Sequence, residues 1–258
     1  MIISVWSPVK RSGKTLFLYS LVNAIYELAN SEISVLSICL NSGGFGKLLS
    51  MFGVTSMQNN ASEYISSLVE AKAKINLKDI LPHVGGMYFS GTQNRSLTDK
   101  SYGDFIRVAG EEFDLVFIDT ISGKRSGVVG EALAASDGVI NIVEQDYDIL
   151  NDFIIGKEII YVINRYKGDV FPNKEDFEYI FKIKNIHALP ECKMLLNMKN
   201  KGELDKYPWE DTEYNRTVNK IAGEILNSIG RHAAIKNMGK AKFNLNKLFG
   251  WRKICGTT

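Results

Sequence analysis

The sequence predicts an α/β protein built on a doubly wound, mostly parallel sheet, and three observations carry that prediction. Short apolar runs rich in β-branched residues recur along the chain, several of them apolar on both faces, as strands covered by helices on each side must be. Longer segments with apolar residues at helical spacing lie between these runs. The repeated strand, helix, strand rhythm implies right-handed crossovers, which put ligands at the carboxyl ends of the strands.

The expected strands are Ile2–Trp6, Ile33–Cys39, Gly86–Ser90, Leu115–Ile118, Gly138–Val143, Ile159–Ile163 and Ile186–Leu189. The first helix spans Lys14–Ala29, where Leu18, Leu21, Val22, Ile25 and Leu28 share a face. Further helices are expected at Ala61–Lys74, Tyr102–Gly110, Gly127–Ala135, Glu175–Phe181 and Thr212–Ile229, the last stopped by Gly230. This divides the chain into a body, residues 1–230, and a tail, residues 231–258. A chain of 258 residues, 45% of them hydrophobic, can bury a full core. No apolar run approaches the roughly 20 residues of a membrane span, and Met1–Trp6 lacks a basic n-region, so the expected location is the cytoplasm. Cys39, Cys192 and Cys255 lack metal-ligand spacing and read as reduced thiols. The scattered His83, His187 and His232 read as surface or packing residues.

Val5-Trp6-Ser7-Pro8-Val9-Lys10-Arg11-Ser12-Gly13-Lys14-Thr15 joins the first strand to the first helix, the context of a phosphate-binding loop. A helix N-terminus there offers unpaired N–H groups and a positive dipole end. In this reading Ser12, Gly13, Lys14, Thr15 and Leu16 line the nucleotide, Lys14 bridges the β- and γ-phosphates of ATP, and the Thr15 hydroxyl ligates Mg²⁺. Four apolar residues, Leu115-Val116-Phe117-Ile118, lead to Asp119, which faces the metal through a bound water, and Gly123 allows the following loop to approach the γ-phosphate. Taken singly, the first motif also fits a basic surface turn and Asp119 a cap.

The order of motifs is more specific than either alone. Gly13-Lys14-Thr15, Phe113 through Gly123, Ser136-Asp137 before a strand, Val162-Ile163-Asn164-Arg165, Ala188-Leu189-Pro190 and Lys201-Gly202-Glu203-Leu204 together resemble the MinD/ParA family of P-loop ATPases over about residues 1–230. The resemblance implies that Asn164 recognises adenine, that ATP drives homodimerisation across the nucleotide face, and that the protein positions or recruits some other cellular machine. It also identifies two departures. The family's signature lysine follows the first loop glycine and reaches the partner subunit's nucleotide; here that position is Val9, after Pro8, so the trans role passes in expectation to Lys10, one place later. Its side chain spans roughly 6 Å. Where the family carries an Asp-x-Asp pair, this chain has Cys39-Leu40-Asn41, and Asn41 accepts no proton, so slow hydrolysis or none is expected. Similar departures occur in TadZ-like members that serve pilus, secretion and conjugation machines.

The tail is basic. From Arg231 onward there are seven basic residues and no acidic one, which leaves the body mildly acidic. A helix over residues 240–249 would gather Ala241, Leu245, Leu248 and Phe249 on one arc, with Trp251 and the basic residues of 240–253 suited to an anionic membrane surface. The alternatives are a final helix packed on the body or a basic tail without fixed structure, and the acidic body argues against nucleic acid as its partner. The expected place is the inner face of the cell membrane, attached peripherally. Three classes follow: an ATP-switched positioning protein, a nucleotide-binding scaffold without hydrolysis or its DNA-partitioning relative, and a metabolic enzyme on the same fold, for which no substrate-specific constellation is present.

Overall fold

The computed structural model describes residues 1–29, 32–41, 45–52, 76–84, 86–91, 99–148 and 158–231. Within them the strands are β1 (Ile2–Trp6), β2 (Val35–Cys39), β3 (His83–Val84), β4 (Met87–Gly91), β5 (Leu115–Asp119), β6 (Gly138–Val143), β7 (Glu158–Tyr166) and β8 (Ile186–Pro190). The helices are α1 (Lys14–Leu28), α2 (Phe45–Met51), α3 (Leu77–Ile80), α4 (Asp99–Glu112), α5 (Val128–Ala135), α6 (Lys174–Phe181), α7 (Lys193–Lys201) and α8 (Glu213–Ser228). The strands form one sheet in the order β3-β4-β2-β5-β1-β6-β7-β8, parallel throughout except for the β3–β4 pair. This is the doubly wound sheet that the sequence implies.

Alternation along β1 explains the two helical layers. Ile3 and Val5 face the core that α1 and α8 complete with Leu18, Leu21, Val22, Val218, Ile221 and Ile225. Ile2 and Trp6 face the opposite core, closed by Phe105, Ile106 and Ala109 of α4 and Val129 and Ala132 of α5. Because both faces are covered, β5 can be Leu-Val-Phe-Ile with every side chain fully buried. At roughly 1.5–3 kcal/mol for each large apolar side chain removed from water, these residues hold the sheet flat against its helices.

Several boundaries differ from expectation. β2 starts at Val35: the Ser34 N–H and Oγ turn to Asp114, while the Ser34 carbonyl still accepts from the Leu115 N–H at 3.2 Å. β7 continues through polar Asn164 and Arg165, with an irregularity that lets Tyr166 pair Pro190. α4 extends past Tyr102–Gly110 at both ends. α7 was not expected, since its segment buries little beyond Leu195. The short β3, antiparallel to β4, carries too few residues to show a period. The expected helix at Ala61–Lys74 and the tail beyond Arg231 lie outside the described residues.

Candidate nucleotide site

β1 delivers the chain to the carboxyl edge of the sheet at its centre, between β5 and β6. Buried Ser7 shapes the first turn of the loop: the Val9 N–H donates to Ser7 Oγ at 3.3 Å, and Ser7 Oγ donates to the Val9 carbonyl at 3.1 Å. Arg11 (φ 62°) and Gly13 (φ 83°) then take left-handed backbone. Gly13 has a second reason to lack a side chain, because a Cβ there would stand 2.5 Å from Asn164 Nδ2. α1 starts with no side-chain cap and no acid in its first turn, so its first N–H groups and the positive end of its dipole face the loop unopposed.

Asp119 ends β5 in register with Val5 of β1. That placement lets Thr15 Oγ1 donate to Asp119 Oδ2 at 2.7 Å. Lys14 Nζ donates to Ser122 Oγ at 2.7 Å and stands 3.9 Å from Asp119 Oδ1. Lys14 is 9% and Asp119 3% exposed. Burial pushes the Asp119 carboxyl above the usual carboxylate range, and the Lys14 charge and the Thr15 hydrogen bond only partly offset it. Burial likewise lowers the Lys14 amine against the attraction of Asp119. Two buried oxygens in this cluster, Ser12 Oγ and Asp119 Oδ1, have no hydrogen-bond partner among the described residues.

Loop 120–125 is stapled to β1. Thr120 donates to the Val5 carbonyl from both N–H (3.2 Å) and Oγ1 (2.8 Å), and the Gly123 N–H donates to the Ser7 carbonyl at 2.9 Å. Trp6 Nε1 donates to the Lys124 carbonyl at 2.7 Å, and the Arg125 guanidinium covers the Trp6 ring at 4.9 Å.

Asn164 reaches the loop from the other side, donating from Nδ2 to the Ser12 carbonyl at 2.7 Å. Arg165 follows in left-handed backbone (φ 56°), pairs with Glu144 at 3.1 Å and donates to the Arg11 carbonyl at 3.3 Å. Beside Asn164 lies a shallow groove lined by Gly13, Leu16, Phe17, Pro190, Cys192 and Leu195. A larger hollow of about 390 Å³ lies at the opposite, amino ends of the strands, among Ile3, Val139, Ile140 and Ile225. Its walls are mostly apolar, with Asn185, Glu224 and Ser228 at their polar part, and bring a carboxylate but no lysine or arginine to a phosphate.

Ser12, Gly13, Lys14, Thr15, Leu16, Asp119 and Asn164, all predicted site residues, therefore converge. Lys10 sits exposed on the outer turn of the loop. Cys39 is buried next to Asp119, its thiol pushed up to about 12 by burial, and it donates to the Asn41 carbonyl at 3.6 Å. No carboxylate comes from residues 39–41. Ser122, the Trp6 staple and the Pro190–Cys192 side of the groove were missed from sequence: an isolated serine, tryptophan or cysteine carries no spacing signal.

The donor set fits a magnesium-bound polyphosphate. An uncapped helix start, the Lys14 amine and the orphaned Ser12 hydroxyl suit phosphate oxygens, while Thr15 and the orphaned Asp119 Oδ1 suit Mg²⁺ and its waters. Among the described residues there is no group of three or more His, Cys, Asp or Glu placed to hold a metal.

A loop turned by glycine between the central strand and an uncapped helix, set against an acid-tipped neighbouring strand, defines a P-loop fold. Solved structures narrow the type. The chain is similar to a ParA family ATPase from Chlorobium tepidum (16% identity, TM-score 0.68, covering 86% of this chain and 98% of that one). It is also similar to the septum site-determining protein MinD from Pyrococcus horikoshii, complexed with Mg-ADP (18%, TM-score 0.71, 89% and 97%), and to a putative plasmid partition protein from Borrelia burgdorferi bound to AMPPNP (16%, TM-score 0.61, 88% and 98%). No protein-family model matches the chain, nor does any curated protein. The chain thus has the MinD/ParA-type P-loop fold.

Proposed function

We propose that the protein is an ATP-binding switch that pairs with a second copy of itself across the nucleotide face and positions or recruits a membrane-associated machine, with slow hydrolysis. The observation that carries this reading is the convergence of Lys14, Thr15, Asp119 and Asn164 on the Gly13 loop. Lys14 and the N–H groups at the start of α1 would hold the phosphates, Ser12 adding its hydroxyl. Thr15, with Asp119 acting through water, would hold Mg²⁺, which when bound supplies charge neutralisation between the phosphates. Asn164 and the groove beside Leu16 would take the adenine. Lys10, exposed on the loop, is the residue offered to the partner subunit.

Support for the recruiting part comes from a similar protein. One solved neighbour is MinD from Aquifex aeolicus in complex with MinC (18% identity, TM-score 0.66, covering 93% of this chain and 99% of that one). Slow turnover follows from residues 39–41. The resemblance expects an acid to orient the attacking water there, and neither the buried Cys39 thiol nor the Asn41 amide would take that role. The same observation favours a second reading, a scaffold that binds ATP and never hydrolyses it. The tail, residues 240–253, would attach the dimer to anionic lipid, two weak anchors acting together.

The test has three arms. With Mg-ATP, light scattering on a sizing column should give a dimer that Mg-ADP does not. Phosphate release by the protein alone should stay below about 1 s⁻¹, against ordinary enzyme rates; a faster rate rejects the slow switch and a rate of zero selects the scaffold. Flotation with vesicles containing anionic lipid should require ATP and be lost on deleting residues 240–258. Unchanged flotation, or binding to duplex DNA instead, rejects the membrane reading.

A further inference from the structure

We propose that the hollow at the amino ends of the strands is a second binding site, for a small organic cation whose ammonium group is carried on an apolar body. The inference is independent of the nucleotide reading above. At about 390 Å³ the hollow falls within the roughly 300–1,000 Å³ usual for small-molecule sites. Its lining divides as such sites divide. Ile140 of β6, Ile160 of β7 and Ile225 of α8 supply apolar wall, while Asn185, Glu224 and Ser228 supply a few polar groups.

The polar groups are held in place from behind. His187 of β8, 5% exposed, brings Nε2 to 3.2 Å from Glu224 Oε2 and 3.1 Å from Asn185 Oδ1. A carboxylate oxygen only accepts, so Nε2 carries the proton and fixes both side chains by one oxygen each. Glu224 Oε1 and Asn185 Nδ2 have no partner among the described residues. Burial holds the imidazole below the usual histidine range, with Glu224 opposing and Lys220 adding to the effect. The imidazole is therefore neutral at pH 7, and the Glu224 charge stands uncancelled by the group that orients it. Among the lining residues the cation is the Met1 ammonium, already held by the Asp114 carbonyl at 3.1 Å. Ser228 Oγ donates to the Ile225 carbonyl at 2.7 Å and keeps its lone pairs for a donor. A half-exposed carboxylate fixed at the lip of an apolar hollow attracts an ammonium head, which donates to Glu224 and Ser228, and repels a carboxylate or phosphate head. The isoleucine walls favour a body of several methylenes over a bare cation.

The test is calorimetry on the full chain with butylammonium, hexylammonium, hexanol and hexanoate as probes, and thermal melts to check the fold of each variant. Hexylammonium should bind with a dissociation constant of about 1 mM or tighter. Butylammonium should bind roughly tenfold more weakly, since two fewer methylenes are buried, and hexanoate should not bind detectably. Glu224→Gln, whose amide oxygen still accepts from His187, should weaken hexylammonium about tenfold and leave hexanol within about twofold. Ile160→Phe narrows the hollow from its half-buried wall and should weaken both. Equal affinity for butylammonium and hexylammonium would mean ion pairing on the surface and overturns the proposal. So do an equal effect of Glu224→Gln on hexylammonium and hexanol, unchanged binding to a folded Ile160→Phe, and a parent chain that does not bind hexylammonium. If Ile160→Phe fails to fold, Glu224→Gln decides alone.

Discussion

The two ends of the sheet are built on opposite terms. At the amino ends polar groups are matched: the terminal amine of Met1 donates to the Asp114 carbonyl, the Ile2 N–H donates to Asp137, and the Asp114 carboxylate accepts from Ser34 N–H, Ser34 Oγ and Arg231. At the carboxyl ends two buried oxygens, Ser12 Oγ and Asp119 Oδ1, have no hydrogen-bond partner among the described residues, and a buried lysine and aspartate stand 3.9 Å apart. The acids make the contrast quantitative in sign. Burial tends to raise Asp114, yet the Ser34 hydrogen bonds and Arg231 outweigh it and hold the carboxyl below the usual range. Asp119 is held above it. Ionised Asp114 therefore stabilises the fold, whereas ionised Asp119 costs stability that only a ligand can return. Unsatisfied buried polar groups, more than hollow volume, separate the nucleotide end from the other.

The largest expected effect breaks the carboxyl end alone. Lys14→Ala should reduce triphosphate affinity by about 100-fold or more by calorimetry, since it removes a charge-assisted contact in a buried setting, while far-UV circular dichroism stays unchanged. A loss of secondary structure would mean that this end also carries the fold. Next come two matched substitutions of opposite sign. Asp114→Asn should lower Tm by roughly 2–6 °C, corresponding to about 1–2 kcal/mol of weakened hydrogen bonds. Asp119→Asn, which keeps the shape and can still accept from Thr15, should raise Tm by on the order of 1–3 °C while abolishing the Mg²⁺ dependence of nucleotide binding. A fall in Tm for Asp119→Asn would erase the contrast.

The smallest effect is in the acid limb. The Asp114 contribution is fully present above its unfolded value, near 3.9, and is lost as pH falls through the lower folded value. For Asp119 the sign reverses: its cost is absent at low pH and grows as pH rises through about 3.9 toward the raised folded value. Urea unfolding from about pH 3 to pH 7 should show the stability advantage of the parent over Asp114→Asn growing with pH, and that of Asp119→Asn over the parent growing with pH as well.

Legibility from sequence followed the same division. The β5 run Leu-Val-Phe-Ile and the α1 stripe are legible because burial on two faces or one imposes a period, and the phosphate loop because its residues are adjacent in the chain. Asn164 needed the ordered set of motifs, since the fold carries it to Ser12 across 152 positions. Ser122 and Trp6 left no trace, because a contact made by one side chain across the sheet has neither period nor spacing. The length of β7 was misjudged for a related reason: its last residues are polar and are kept in the ladder by β8, which the local composition does not reveal.

The seating of the Asn164 amide against Gly13 makes the loop's one left-handed glycine a point where two demands meet. A side chain at position 13 would meet strained backbone and also the Asn164 amide at 2.5 Å, and displacing that amide would take from the Ser12 carbonyl its 2.7 Å donor. A single added carbon would thus disturb the turn of the loop and its tether to β7 in one stroke.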